Sequence, residues 1–89
     1  MRIIVLYRPA SEHARSVETY IADFQRFHPG ETLETFNIDS IEGSHLAELY
    51  GVIEYPTVIA AGSDGVMQQM WSGTEKLPLM NDLAYYAQQ

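Results

Sequence analysis

The chain has 89 residues, 46% of them apolar, and no cysteine; twelve acidic against five basic side chains give a formal net charge of -7. That length suits one domain over residues 1–89, since a domain usually takes roughly 50 to 200 residues, and the composition is that of a packed globule and not of a disordered tail. Arg2, Arg8, Arg15, Arg26 and Lys76 form no basic stripe, which argues against nucleic acid and anionic membranes, and the lack of cysteine excludes disulfides, thiolate metal sites and thiol catalysis.

Ile3 to Tyr7 is a continuous apolar run closed by Arg8-Pro9, as expected of a central strand covered on both faces. The run is too short for the core of a secretion signal, and no apolar stretch reaches the length of a membrane span. A cytoplasmic location is therefore expected. From Ser11 onward, Val17, Tyr20, Ile21, Phe24 and Phe27 recur at helical spacing, with Ser11 as the natural N-cap, Glu12 and Glu18 toward the positive end, and Pro29-Gly30 as the stop.

Phe36 and Ile38 alternate with Thr35 and Asn37 in a strand within Leu33 to Asp39. A shorter helix is expected after Gly43-Ser44, through Leu46, Leu49 and Tyr50, ending at Gly51 in a left-handed cap. After Pro56, Thr57 to Ala61 reads as a strand, Gly62-Ser63-Asp64-Gly65 as a tight turn and Val66 to Trp71 as the hairpin partner. Ser72-Gly73-Thr74 interrupts the pattern. A last helix follows with Pro78 in its first turn, burying either Leu79, Leu83 and Tyr86 or Met80, Ala84 and Ala87. The order βαβαββα predicts an α/β domain whose mixed four-stranded sheet is built from a parallel crossover and an antiparallel hairpin, with helices on both faces.

Asn37-Ile38-Asp39, Tyr50-Gly51-Val52, Tyr55-Pro56-Thr57 and Ser72-Gly73 resemble, in order and spacing, four stretches of the thioredoxin superfamily: the second strand, the second helix, the cis-proline turn and the glycine before the last helix. The stretch Tyr7-Arg8-Pro9-Ala10-Ser11-Glu12-His13-Ala14 is more similar to glutaredoxins, whose first strand leads through a Tyr-x-Pro or Tyr-x-x-Pro pattern into the Cys-x-x-Cys loop. The resemblance covers nearly the whole chain. It implies a thioredoxin-like fold with strand order 2-1-3-4 and three helices, with Ser11 and Ala14 at the two cysteine positions. A serine hydroxyl has neither the acidity nor the nucleophilicity of the thiolate that attacks a disulfide. The groove is expected to outlast the reaction. Free N–H groups at the first helix's start still favour an anionic or carbonyl group, and the resemblance implies a cis bond before Pro56 that exposes the Tyr55 backbone to an extended peptide.

The expected groove residues are thus Ser11, Glu12, His13, Ala14, Tyr55, Pro56 and Gly73, with Arg8 and Thr74 as further ligand contacts. Simpler readings stand beside these: Ser11 as a helix cap, His13 and Arg8 as exposed loop residues, Gly73-Thr74-Glu75 as a helix start, Trp71 as a core cover. His13, His28 and His45 lack ligand spacing, so no metal is expected, and Ser11 and His13 diverge on a helix, so no catalytic group and no cofactor are expected. The function expected first is a redox-inactive binding domain for a peptide or partner protein. Glutathione binding or transfer, with Arg8 and Ser11 at the carboxylate and thiol ends, is the enzyme-class alternative. A thiol-disulfide oxidoreductase whose cysteines had been replaced by Ser11 and Ala14 is another.

Overall fold

The computed structural model describes all 89 residues. In chain order they form β1 (Arg2–Tyr7), α1 (Ala14–Phe27), β2 (Leu33–Asn37), α2 (Ile41–Tyr50), β3 (Thr57–Ala61), β4 (Met67–Ser72), a short 3-10 turn (Thr74–Lys76) and α3 (Met80–Ala87). The four strands make one sheet ordered β2-β1-β3-β4. β1 pairs parallel with β2, opposing Ile3 to Leu33 and Tyr7 to Asn37, and antiparallel with β3, opposing Leu6 to Thr57. The βαβαββα mixed sheet expected from the sequence is the one observed.

Two apolar layers hold it together, and β1 feeds both, because successive side chains of a strand point to opposite faces. Ile3 and Val5 pack with Val58, Ala60, Val17 and Phe24 of α1 and Leu83 and Ala84 of α3. Ile4 and Leu6 pack on the other face with Ile59, Ala61, Ile38, Val52 and Ala47 of α2. All four of these β1 residues are buried, as a strand covered on both sides requires.

The helix starts differ from the sequence reading, each for a local reason. α1 begins at Ala14, three residues after Ser11, and Ser11 is not its cap. Its hydroxyl turns back and donates to the Arg8 carbonyl, and Ala10 before it stands in the left-handed region at φ 61°. The chain thus completes a turn first, and the helix's N-terminal position falls to His13, whose side chain caps nothing. Phe27, expected on the apolar stripe of α1, is the last residue of the helix and is 65% exposed.

α2 begins at Ile41, so Gly43 and Ser44 lie inside it and do not precede it. Ser40 is the cap: its Oγ accepts from the Gly43 N–H at 2.9 Å and donates to the Asn37 carbonyl at 2.6 Å. A side chain at Gly43 would stand 2.0 Å from the Asn37 carbonyl oxygen, so helix and strand approach here as only glycine permits. Gly51 ends α2 at φ 68°, the expected left-handed cap. α3 starts at Met80, after the 3-10 turn; Pro78 precedes it, and Leu79 points to solvent. Its buried residues, Leu83 and Ala84, come one from each of the two expected stripes. β4 begins at Met67, one residue later than expected, and Trp71 covers the core edge-on to Tyr86, with ring centroids 5.6 Å apart.

Candidate functional site

The register of β1 against β3 brings the loop after Tyr7 and the segment before Thr57 to the same end of the sheet. There the loop 8–13, Tyr55-Pro56 and the turn after β4 gather. The peptide bond between Tyr55 and Pro56 is cis. The Gly73 N–H donates to the Pro56 carbonyl at 2.8 Å, which fixes the turn after β4 beside the proline. Gly73 itself has φ 96°, a region closed to most side chains, and its Cα faces the Glu54 carboxylate: a Cβ there would lie 3.3 Å from Oε2.

His13 anchors the opposite side of this end. Its Nε2 accepts the Arg8 backbone N–H at 3.1 Å, so the ring holds the lone pair on that nitrogen and closes the loop on itself. Its edge meets the Tyr7 ring at 6.3 Å between centroids. Tyr7 in turn donates to Glu18 of α1 at 2.9 Å, and burial and then that carboxylate push the phenol up from its ordinary value. Ala14 is buried, Ser11 half-buried and Glu12 exposed. The Arg15 and Ser16 N–H groups, in the first turn of α1, have no partner within the chain.

Arg8 is committed elsewhere. Its guanidinium makes a two-pronged pair with Asp39, Nε to Oδ2 at 2.9 Å and Nη2 to Oδ1 at 3.2 Å. The hydrogen bond and charge of Arg8 hold the Asp39 carboxyl below the usual carboxylate range. Asp39 is itself set by an Asx turn, the Asn37 side chain accepting the Asp39 N–H at 2.9 Å. Thr74 is exposed and lines a concavity of about 350 Å³ with Glu54, Ser72, Gly73, Glu75 and Lys76.

Pro56 thus joins Gly73 through a hydrogen bond, while no hydrogen bond or ring contact links residues 11–14 to Tyr55, Pro56 or Gly73. The Tyr55 N–H and C=O have no hydrogen-bond partner within the chain, and Tyr55 is half-exposed. The sequence reading did not identify the roles of His13 as a backbone anchor, Asp39 as the partner of Arg8, or Glu54. The Asn37-Ile38-Asp39 stretch carried the Asx signal. The other two pairings span loops and left no periodic trace. No three His, Asp or Glu side chains gather as a metal ion would require, and no helix is long and apolar enough to cross a membrane.

Comparisons with protein-family profiles and with curated proteins find no match. Solved structures do match. A malarial protein superposes with a TM-score of 0.63 at 18% identity, covering 99% of this chain and 96% of its own. Thioredoxin 1 from the thermophilic eubacterium Thermosipho africanus superposes with a TM-score of 0.61 at 14% identity, covering 99% of this chain and 91% of its own. At these identities the likeness is one of fold. The chain has a thioredoxin-like fold and no cysteine.

Proposed function

We propose, from a thioredoxin-like fold that has no thiol, that the chain is a binding domain holding an extended segment of a partner protein at the surface formed by Ser11–Ala14, Tyr55-Pro56 and Gly73. One observation carries this reading: the unpaired N–H and C=O of Tyr55. A backbone donor and acceptor left without a partner in the chain, on a half-exposed residue just before β3, suit the backbone of an added extended segment. The free N–H groups of Arg15 and Ser16 support it, since they favour a carbonyl or carboxylate beside the loop. Ile53, two residues before Tyr55 and 91% exposed, adds apolar surface for a partner's side chain.

Charge weighs against glutathione at the same place. Arg8 is already neutralised by Asp39, and in the concavity beside Thr74 Glu54 and Glu75 outnumber Lys76, which disfavours an anionic ligand end.

The test is chemical-shift mapping with extended peptides selected for binding to the whole protein. Shifts at Ser11–Ala14, Tyr55 and Gly73 are expected. N-methylating the one peptide amide that faces the Tyr55 carbonyl should weaken binding about fivefold, as for the loss of one hydrogen bond of about 1 kcal/mol. Shifts confined to α2, on the far side of the sheet from α1 and α3, would overturn the proposal.

A further inference from the structure

We infer that the outer face of α2 docks a basic amphipathic helix of a partner protein, at a surface separate from the groove. α2 buries Gly43 and Ala47 and half-buries Leu46 and Tyr50, which occupy one side of the helix. The opposite side of a surface helix is normally polar. Here it carries Ile41, His45 and Leu49 at successive spacings of four, and Ile41 and Leu49 are 77% and 70% exposed. Two large aliphatic side chains thus stand on the outward side of α2 among polar neighbours, and nothing in this chain covers them.

The surface is also shaped. Two hollows flank His45, one of about 350 Å³ between His45, Glu48 and Leu49 and one of about 260 Å³ running from His45 and Leu46 to Phe36. They offer two separate seats for apolar side chains, as the docking of a helix through successive anchors requires.

Charge selects the partner. Glu42 and Glu48, both exposed, stand on either side of the Ile41–His45–Leu49 line. Arg2, which lines the second hollow with Glu42, is held by Glu34 through two hydrogen bonds of 2.9 Å. A second copy of this chain would set acidic flanks against acidic flanks, on a molecule of formal net charge -7. An anionic membrane surface meets the same repulsion. A helix with aliphatic anchors bordered by Lys or Arg meets complementary charge at every flank.

The test is a titration of the intact, isotope-labelled chain with three synthetic helical peptides: one with Leu anchors one turn apart bordered by Lys, one with Glu in place of each Lys, and one with Ser in place of each Leu. The Leu/Lys peptide is expected to shift the amides of Ile41–Leu49 and to bind about tenfold or more tightly than either control, with the advantage over the Glu peptide shrinking in about 0.5 M salt. Ile41→Ser combined with Leu49→Ser, both at exposed positions, should reduce affinity about tenfold while leaving the thermal midpoint in place. Equal binding of the Glu peptide, shifts mapping away from α2, or no shift at about millimolar peptide would each overturn the inference. So would sedimentation showing the chain alone as a dimer that the double substitution dissociates. The groove is read separately, through Tyr55 and Gly73, so either surface can fail without the other.

Discussion

Arg8 and Asp39 illustrate what a side chain does once its partner is known. An arginine at the mouth of a groove reads as a ligand contact, but here it ties the end of β1 to the end of β2. Asp39 and Glu34 are both held below the ordinary carboxylate range, first by hydrogen bonds from Arg8 and Arg2 and then by their charge. A lowered carboxyl favours the folded state above its ordinary value and loses that contribution as the pH falls through the folded one. Thermal stability should therefore decline from about pH 5 downward, and Glu34→Asn combined with Asp39→Asn should flatten part of that decline, as followed by circular dichroism. The effect should be small, because both pairs are exposed and screened. Tyr20 acts at the other end of the scale. Its hydroxyl donates to the Pro78 carbonyl at 2.7 Å, and burial, then Asp82, push it well above its ordinary value. A raised phenol favours the folded state below about pH 10 and loses that contribution as the pH rises beyond. Tyr20→Phe should lower stability by about 1 kcal/mol at neutral pH, remove part of the alkaline loss, and speed amide exchange through Leu77–Met80.

Elements here are bounded by single atoms more than by propensity. The second helix follows Ser40, whose hydroxyl satisfies the Gly43 N–H, and it can lie against β2 because Gly43 has no side chain. Gly43→Ala would drive a methyl into a backbone carbonyl that cannot step aside. It should cost about 2 to 3 kcal/mol in denaturant unfolding, although alanine is the better helix former. Gly51→Ala meets open space but a positive φ and should cost about 1 kcal/mol. The apolar periodicity of Val17 and Phe24, the Gly51 stop and the alternation around Phe36 were all legible, since they depend on neighbours in sequence. The start of α1 was not. A serine before an apolar stripe normally caps it, but Ser11 finds the Arg8 carbonyl first, and Ala10 in the left-handed region turns the chain so that the helix opens at Ala14.

At the scale of the molecule the sheet separates two cores, and each helix is held by the layer it faces. Phe24, fully buried between α1 and the sheet, should cost about 3 to 5 kcal/mol when cut to Ala, enough to threaten a domain of this size. Phe27→Ala, one turn on and largely exposed, should change stability by less than about 0.5 kcal/mol. The two proposed surfaces lie apart on this frame: Tyr55, Pro56 and Gly73 at one end of the sheet, and the outer face of α2 on its flank. The sequence alone determined the element order, the two-faced burial of β1, the mixed sheet and the absence of any thiol, because apolar period and turn residues are properties of neighbours along the chain and sulfur content is read residue by residue. Only the tertiary structure decided which polar groups are spent and which are free. Arg8 is taken by Asp39, the His13 lone pair by a backbone N–H, and the Gly73 N–H by Pro56, while Tyr55 keeps both of its backbone groups and Ile41 and Leu49 keep their exposure. Pairing and covering are settled by residues far away in sequence, and local pattern does not encode them.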